Sequence, residues 1–256
     1  MYLERFRLDG EVAVITGGGR GIGLAAADAL GEAGARLAII ERDPALLEEA
    51  RTTLLGKGYD VSVHEGDVTD EARMQAIADE LGAQGGASIL VNNAGIALSD
   101  IPAEEMEGER WLKVIDVNLN GTYWCARAFG QHMLKAGRGS IVNVGSMSGF
   151  IVNRPQPQAH YNASKAAVHH LTRSLAAEWA TRGVRVNAVA PTYIETPLNA
   201  LVENNRPMLD RWIDSTPMAR IGKDYEVASV ILFLSSQAAS LMTGSIVLVD
   251  GGYTLW

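Results

Sequence analysis

The chain has 256 residues and a mass of 27.4 kDa, with 47% hydrophobic and 20% charged residues, so its composition is globular and excludes collagen-like and disordered chains. Its 22 Lys and Arg residues against 30 Asp and Glu residues give a formal net charge of −8 without any basic cluster, so we expect no nucleic-acid or membrane-surface partner. The single cysteine, Cys125, excludes an internal disulfide and a CxxC site and favours a reducing compartment. The first ten residues lack the apolar core of a secretory signal, and no apolar run is long enough to span a membrane, so we expect a cytoplasmic protein.

Short apolar runs recur along the chain, and segments with helical patterning separate them. Continuous apolar runs are typical of parallel strands covered on both faces, and strands separated by helices indicate right-handed βαβ crossovers. The sequence therefore predicts an α/β fold, a Rossmann-type doubly wound sheet of seven parallel strands. No linker or internal repeat divides the chain, so we expect residues 1–256 to form a single domain. The predicted strands are Val12–Ile15, Leu37–Ile40, Val61–Val63, Ile89–Val91, Ile141–Val144, Val184–Val189 and Ile246–Val249.

The stretch at about 192–221 has no strand pattern, and three prolines, Pro197, Pro207 and Pro217, interrupt its weak helical pattern. Long connections without regular structure are commonly functional in compact domains. We therefore expect a substrate lid here.

A cluster of glycines follows the first predicted strand, in Thr16-Gly-Gly-Gly-Arg-Gly-Ile-Gly23. Gly17 permits a tight turn, Gly21 lets the backbone approach a pyrophosphate, and Gly23 allows the next helix to pack closely with its N-terminus towards an anion. The spacing departs from GxGxxG, and taken alone it also fits a merely tight turn. Its place between a strand and a helix favours a dinucleotide site.

Glu41 stands 18 residues beyond Gly23, at the end of the second predicted strand, where a carboxylate meets the adenosine ribose hydroxyls. Repulsion of a 2′-phosphate amounts to about 4 kcal/mol per charge at roughly 4 Å and an effective dielectric of about 20, before screening, so Glu41 predicts NAD rather than NADP. Arg20 and Arg42 leave the alternative open, because paired guanidiniums bind phosphate. The carboxyl edge of the sheet adds further candidates for the cofactor site: Asp67, Val68, Asn93, Ala94 and Gly95.

Tyr161 and Lys165 lie four residues apart in a helical pattern, so their side chains share one face. An ammonium close to a phenol favours the phenolate, and so does the positive charge of an oxidised nicotinamide. The pair therefore predicts a tyrosine whose pKa falls from about 10 towards working pH, as general base catalysis needs. A YxxxK match alone is of moderate specificity.

Jointly these motifs resemble the short-chain dehydrogenase/reductase family from end to end of the chain. The resemblance implies the strand order 3-2-1-4-5-6-7, a nicotinamide cofactor and a homotetramer that pairs the long helices beginning near Trp111 and Tyr161. The motifs that carry it are Thr16–Gly23, Asp67, Asn92–Gly95, Asn118, Ser146, Tyr161 with Lys165, Asn187 and Asp250–Gly252.

The resemblance also implies four catalytic roles. Tyr161 is expected to be the general acid/base, and Lys165 is expected to tune it and to hold the nicotinamide ribose. Ser146 would orient the reacting oxygen, and Asn118 would anchor a water relay that runs through Lys165 to solvent. No metal site is expected.

A last group of cofactor contacts is implied around the end of the sixth strand. Family members commonly have Pro-Gly here, whereas this chain has Pro191 and Thr192, and a threonine cannot adopt a positive φ cheaply. The contacts implied are Ile22 in the glycine turn and Pro191, Thr192, Ile194 and Thr196 after the strand.

The segment between Ser146 and Tyr161 is rich in side chains that can match several hydroxyls. Solvated turn residues are the alternative interpretation of its amides, because two prolines flank them. The segment is similar to the sugar-alcohol dehydrogenases of the family, which implies oxidation of a secondary hydroxyl of a polyol to a ketose, with galactitol to L-tagatose as the best single expectation. The candidate substrate contacts are Ser146, Ser148, Asn153, Gln158, His160, Tyr161, Thr192 and Tyr193.

Two alternatives stay open at this point. Phe150, Ile151 and Trp212 would suit an acyl chain, as in a 3-oxoacyl-carrier-protein reductase, although Glu41 and the net charge of −8 oppose NADPH and an acidic carrier. A nucleotide-sensing module without catalysis is the second alternative, and the complete set of four catalytic residues opposes it.

Overall fold

Seven strands form one parallel sheet in the computed structural model, which describes residues 1–196 and 205–256. They are β1 Val12–Thr16, β2 Arg36–Glu41, β3 Val61–Glu65, β4 Ile89–Asn92, β5 Gly139–Val144, β6 Val184–Pro191 and β7 Ile246–Val249. The sheet order is β3-β2-β1-β4-β5-β6-β7, which confirms the predicted α/β fold and the order implied by the resemblance. The predicted strands differ from the observed ones by at most two residues at either end, because pairing often continues past the apolar run, as at Thr16 of β1 and at His64 and Glu65 of β3.

Helices cover both faces of the sheet, and successive strand residues alternate between the two layers. The helices are α1 Gly21–Glu32, α2 Pro44–Gly56, α3 Glu71–Ala83, α4 Gly108–Ile115, α5 Gly121–Ala136, α6 Ala159–Trp179, α7 Arg206–Asp214 and α8 Asp224–Ser235. Ile15 packs towards the layer that contains α1, α2 and α8, whereas Val14 packs towards the layer that contains α3, α5 and α6. Within the described ranges, no helix combines the length and apolar character that a membrane crossing requires.

The chain order reverses on either side of β1, which pairs with β2 on one side and β4 on the other. At such a switch point the loops beyond the carboxyl ends of the strands diverge and leave a crevice. Polar caps fix where the helices restart: Asp43 accepts the backbone N–H of Ala45 at 2.9 Å, and Asp70 accepts that of Arg73 at 2.9 Å. The crevice therefore lies between the ends of β1, β2 and β4.

The predicted lid at about 192–221 lies partly outside the described residues, since 197–204, with Pro197, are not among them. Its described part contains α7, which Asn205 caps through the backbone N–H of Met208 at 3.3 Å. Trp212 of α7 is buried and stacks on Tyr193. The far end of this segment therefore packs against the end of β6.

Candidate active site

The glycine turn between β1 and α1 folds as tightly as its sequence predicts. Gly17 and Gly21 have positive φ values of 60° and 53°. A Cβ at Gly23 would lie 2.2 Å from the carbonyl oxygen of Gly17, so a side chain there would displace backbone. Gly23 therefore serves the close packing of α1 on the turn.

Two side chains fasten this turn to the end of β4. Thr16 Oγ1 accepts the backbone N–H groups of Asn93 at 3.1 Å and Ala94 at 3.2 Å. In return, Asn93 Nδ2 donates to the carbonyl oxygens of Thr16 at 3.1 Å and Gly17 at 2.8 Å. Asn93 thus holds the shape of the turn as well as lining the groove beside it.

Glu41 lies at the end of β2 with its carboxylate turned back to the backbone around it. It accepts the N–H groups of Arg42 at 3.0 Å, Asp43 at 3.3 Å and Gly19 at 3.4 Å. These bonds hold a negative charge beside the glycine turn, where the sequence predicts a ribose-binding carboxylate.

Asp67 follows β3 and faces the same groove. Its carboxylate accepts the backbone N–H of Thr69 at 3.0 Å and the Thr69 hydroxyl at 2.8 Å, and it pairs with Arg42 at 3.6 Å. Burial by itself would raise the pKa of Asp67, but the bonds from Thr69 and the charge of Arg42 outweigh it and lower the pKa. Asp67 is therefore an ionised acceptor, and it partly neutralises one of the two guanidiniums near Glu41.

A continuous groove runs along the ends of β1 to β4. A Cβ at Gly17 would lie 2.9 Å from Ala94 Cα, so the floor of the groove has room only for backbone, as a bound pyrophosphate requires. Four further residues line the groove that the sequence analysis did not assign to it: Ile40, Gly66, Ile96 and Val117. Their position next to the motifs is the only feature of the sequence that could have indicated this. Of the predicted cofactor contacts the groove brings together Gly17, Arg20, Gly21, Ile22, Glu41, Arg42, Asp67, Val68, Asn93, Ala94, Gly95 and Thr196.

Tyr161 and Lys165 share one face at the start of α6, as predicted. Lys165 Nζ lies 5.7 Å from the centroid of the Tyr161 ring and donates to the carbonyl oxygen of Val144 at 2.8 Å. Burial lowers the pKa of Lys165 to about 8.

The pKa of Tyr161 differs in direction from the sequence expectation. Burial raises it above the usual value, and a hydrogen bond with the Ser146 hydroxyl only partly offsets that effect. The reason is physical: Lys165 points at a carbonyl group, so desolvation dominates at the phenol. Activation of Tyr161 therefore needs a further positive charge in the cleft.

Ser146 follows β5 and is buried next to Tyr161. Its Oγ accepts the backbone N–H of Ser148 at 3.1 Å and donates to the Ser148 hydroxyl at 3.0 Å. By rotating, the Ser146 hydroxyl can donate its hydrogen bond either to Ser148 or to the phenolic oxygen of Tyr161. The sequence placed both serines beside the reacting centre, and the structure brings both to the cleft.

Asn118 lies in a single π-helical turn, 116–120, between α4 and α5. Its side chain is fully buried, accepts the N–H of Ile96 at 2.9 Å, and donates to the Ile96 carbonyl at 2.9 Å and the Ser164 hydroxyl at 3.0 Å. A Cβ at Gly95 would lie 3.3 Å from Asn118 Oδ1 and 3.6 Å from Lys165 Nζ. Asn118 therefore lies behind Gly95, on the side of the cleft that carries Lys165.

A wider cleft continues from the groove past Tyr161, and the two share Arg20, Ile22 and Asn93 among their walls. Its far wall joins residues from segments that are distant in sequence. Sequence reasoning did not assign a role to Arg110 of α4, Met208 of α7 or the loop 97–100, because the sequence carries no periodic signal for which distant segments meet at the cleft. The predicted residues that line this cleft are Ser146, Ser148, Asn153, Gln158, Tyr161, Lys165, Pro191, Thr192, Tyr193, Ile194 and Thr196.

A network of amides and aromatic rings forms the end of this cleft. Tyr193 stacks on Trp212 with ring centroids 3.5 Å apart and planes inclined by 2°. The Tyr193 hydroxyl accepts Nδ2 of Asn153 at 2.9 Å and Nε2 of Gln156 at 3.0 Å. Gln156 Oε1 in turn accepts the Trp212 indole N–H at 3.3 Å. Buried and mutually bonded, these amides are not solvated turn residues.

Two other predicted side chains bond to the opposite wall. Gln158 Oε1 accepts the hydroxyl of Ser99 at 2.7 Å, and its amide donates to Asn162 at 3.1 Å. A ring nitrogen of His160, Nε2, lies 3.2 Å from the carbonyl oxygen of Leu98, and His160 is fully buried outside the lining of the cleft. Gln158 therefore lines the cleft, whereas His160 supports the loop behind it.

Thr192 adopts no positive φ, so the chain leaves β6 without the left-handed turn that a glycine allows. Its backbone N–H donates to the carbonyl of Val249 at 3.2 Å, and its buried Oγ1 has no hydrogen-bond partner among the described residues.

In residues 1–196 and 205–256 no group of three or more His, Cys, Asp or Glu side chains could hold a metal ion.

Known proteins are similar in sequence to this chain over its whole length. A family model described as enoyl-(acyl carrier protein) reductase matches residues 17–254. The chain is 63% identical over 257 residues to galactitol 2-dehydrogenase from Rhizobium johnstonii, with 100% of this chain and 99% of that protein covered. It is 50% identical over 257 residues to the L-tagatose-forming galactitol 2-dehydrogenase from Cereibacter sphaeroides, with the same coverage of 100% and 99%.

A solved structure agrees in fold. The gluconate 5-dehydrogenase from Burkholderia cenocepacia, crystallised with NADP and tartrate, superposes with a TM-score of 0.95 at 37% identity and 100% coverage of both chains. The matching family model, the full-length relatives and the Ser146–Tyr161–Lys165 site agree. The chain therefore belongs to the short-chain dehydrogenase/reductase family of nicotinamide-dependent oxidoreductases.

Proposed function

We propose that this chain oxidises a secondary hydroxyl of an open-chain polyol to a ketose, reversibly, with NAD as the preferred acceptor and galactitol to L-tagatose as the reaction. The observation that carries the proposal is the position of the buried Ser146–Tyr161–Lys165 group. It lies where a groove shaped for a dinucleotide meets a cleft walled by buried amides and hydroxyls. The names of the full-length relatives support the same reaction.

The groove residues fit a nicotinamide dinucleotide. The glycine turn and the N-terminus of α1 would hold the pyrophosphate, and Glu41 would bind the ribose hydroxyls. Asp67 would accept from the adenine amino group, and Lys165 would bind the nicotinamide ribose. When bound, the cofactor supplies the acceptor for the hydride that leaves the substrate carbon.

The chain's own residues then move the proton. Tyr161 Oη removes the hydroxyl proton while Ser146 donates a hydrogen bond to the reacting oxygen. In reduction, Tyr161 returns the proton to the same oxygen. Lys165 Nζ lies 5.7 Å from the centroid of the Tyr161 ring, and Asn118, behind Gly95, would anchor a water path from Lys165 to solvent.

Preference for NAD rests on Glu41, whose charge three backbone N–H groups hold in place. Arg42 pairs with Asp67 and is less available to a 2′-phosphate than the sequence alone suggests. Arg20 still borders the groove. The preference is therefore for NAD with measurable residual use of NADP.

A polyol fits the cleft better than a plain alcohol because its walls carry buried polar atoms. Thr192 Oγ1 and Asn153 Oδ1 have no partner among the described residues. Each buried group left unpaired costs roughly 1–3 kcal/mol, and substrate hydroxyls would remove that cost. The described part of the segment at about 192–221 contributes Thr192, Tyr193 and Trp212 to this wall, which supports its role as a lid.

We also propose a cytoplasmic homotetramer. Trp111, Leu112 and Tyr123 of α4 and α5 are exposed apolar side chains, which suit an interface between subunits. The one cysteine, Cys125, is buried and unpaired, in keeping with a reducing compartment. Sedimentation equilibrium of the purified protein tests the tetramer.

The decisive assay compares kcat/KM for galactitol with NAD and with NADP, and galactitol with 2-butanol and with an acetoacetyl thioester in the reductive direction. We expect galactitol with NAD to lead. Faster thioester reduction would overturn the polyol assignment in favour of an acyl-carrier substrate. Equal values for NAD and NADP would overturn the coenzyme preference alone.

A further inference from the structure

The loop that carries Ser146 is held to α6 at two points. Lys165 Nζ donates to the carbonyl oxygen of Val144 at 2.8 Å. One helical turn later, Nε2 of His169 accepts the backbone N–H of Ser146 at 3.5 Å. The two side chains thus bond the two consecutive peptide groups on either side of Gly145.

The shape of the loop is adapted to the His169 ring. A Cβ at Gly145 would lie 2.4 Å from its Nε2, and a Cβ at Gly149 would lie 2.5 Å from its Cε1. The ring of Phe150 lies 4.6 Å away, centroid to centroid. His169 is 2% exposed, so it fills the space that side chains at two neighbouring positions would take.

His169 is neutral, and its tautomer follows from its contacts. Burial lowers the pKa of His169 to about 4, with the charges of Lys165 and Arg173 on the same helix acting in the same direction. The loop packed against the ring, with Ser146 and Phe150, adds no charged group. Because the N–H of Ser146 points at Nε2, that nitrogen carries the lone pair and Nδ1 carries the proton.

The imidazole has a cost that a hydrocarbon of the same size would avoid. Nδ1 of His169 is buried and has no hydrogen-bond partner among the described residues. An unpaired buried donor destabilises the folded state, so space filling alone favours an apolar side chain here. What the imidazole adds is an acceptor for the backbone of Ser146.

We propose that His169 is a positioning residue that fixes the backbone of Ser146 and so keeps the Ser146 hydroxyl within reach of Tyr161. Its effect on turnover passes through Ser146 and not through the stability of the fold. The inference rests on the proposed function, because the position of Ser146 matters only if the alcohol reaction takes place beside Tyr161.

The kinetic test compares His169→Gln with His169→Met. The two side chains have nearly the same size, but only Gln can present an acceptor near the position of Nε2. We expect kcat for galactitol oxidation to be about tenfold lower in the Met variant than in the Gln variant, with KM for NAD within about twofold and similar thermal midpoints.

The same pair is then made in a Ser146→Ala background, where both variants should have the kcat of Ser146→Ala alone. Equal kcat for Gln and Met in the wild-type background would overturn the proposal. A Met loss that persists without the serine hydroxyl would also overturn it.

A measurement on the ligand-free protein separates this inference from the proposed function. In the ¹⁵N spectrum of the imidazoles, His169 should show a protonated Nδ1 and an unprotonated Nε2 at neutral pH. A protonated Nε2 would overturn the inference even if galactitol is oxidised. Absence of polyol turnover together with a protonated Nδ1 would overturn the proposed function and leave the hold on Ser146 standing.

Discussion

The cofactor groove and the substrate cleft meet at Tyr161 but are built in different ways. The groove uses backbone: a glycine turn, a helix N-terminus and the ends of adjacent strands, with Thr16 and Asn93 fastening them together. The cleft uses side chains, such as Tyr193 and Trp212, from segments that are far apart in sequence. A groove made of backbone tolerates few changes, whereas a cleft made of side chains can change its substrate without changing the fold.

The difference also appears in how the two regions satisfy their polar groups. Glu41 and Asp67 of the groove are already bonded to nearby backbone. In the cleft, Asn153 Oδ1 and Thr192 Oγ1 are buried and have no hydrogen-bond partner in the part of the chain that the structure describes. Substrate hydroxyls that pair with these atoms would remove the cost of leaving them unpaired, so selectivity for the substrate should reside in the cleft.

The largest expected effect comes from Tyr161→Phe, which acts at the junction. Turnover should fall about 10²–10⁴-fold because the proton-transfer group is lost, while NAD binding stays nearly intact. Lys165→Ala is the contrasting variant and should weaken both turnover and NAD binding. Cofactor titration by fluorescence, beside steady-state rates, checks the separation.

In the unmodified enzyme the oxidation rate should rise with pH as Tyr161 loses its proton. Burial raises the pKa of Tyr161 in the protein without cofactor. The positive charge of an oxidised nicotinamide would lower that pKa, so kcat should rise at a lower pH than the one at which Tyr161 titrates in the protein without cofactor. A Tyr161→Phe enzyme with more than about a tenth of the original kcat would assign proton transfer to another group.

The next largest effect, that of Glu41→Gln, should be confined to the choice of coenzyme in the groove. Glu41→Gln keeps the size of the side chain and removes its charge, so the ratio of kcat/KM for NAD over NADP should fall by roughly 10- to 100-fold. Relative rates for galactitol and 2-butanol should not change. A matched control is Glu65→Gln, an exposed carboxylate at the end of β3 outside the groove lining. An unchanged coenzyme ratio in Glu41→Gln would remove Glu41 from the coenzyme choice.

The sequence predicts the groove far better than the cleft. Buried strands leave continuous apolar runs, and Gly17, Gly23 and Glu41 have fixed offsets from those runs, so both the sheet and its carboxyl edge can be predicted. The spacing of Tyr161 and Lys165 likewise places both on one helix face. Such features are local in the chain.

Contacts that arise only from tertiary packing cannot be predicted from the sequence. The pKa of Tyr161 moves opposite to the expectation because Lys165 bonds to Val144, which only the assembled β5 and α6 reveal. The partners of Asn153 likewise depend on where the loop before Tyr161 and the segment after β6 meet. Neither contact has a periodic signal.

A third prediction concerns how far the buried Lys165 lowers the free energy of unfolding. Lys165 has a pKa of about 8 when folded, below its value in the unfolded chain, so the unfolded state holds more protons between these values. The free energy of unfolding should therefore rise between about pH 8 and pH 10, and the full cost is present below that range. That cost is about 3 kcal/mol for a shift of this size.

Lys165→Met should accordingly abolish turnover and yet stabilise the fold at neutral pH, by about 1–2 kcal/mol after the lost bond to Val144 is subtracted. Urea unfolding of both proteins at neutral and alkaline pH measures the difference, which should shrink as the pH rises. A Met variant that is less stable at neutral pH would show that Lys165 supports the fold as well as the chemistry.

The smallest expected effect belongs to the cleft alone. Tyr193→Phe keeps the ring stacked on Trp212 and removes the oxygen that accepts the amides of Asn153 and Gln156. Asn153 then loses its bond to Tyr193, and Gln156 keeps only its bond from the Trp212 indole N–H. Both amides are therefore held less firmly, so kcat/KM for galactitol should fall about five- to tenfold while 2-butanol, which has no second hydroxyl to match, changes by less than about twofold. Tyr59→Phe is the matched control, because its hydroxyl bonds to Asp28 away from the cleft. KM for NAD should be the same in all three proteins. Equal losses for both alcohols would mean that Tyr193 shapes the cleft as a whole, and the division between a backbone groove and a side-chain cleft would then no longer locate the selectivity.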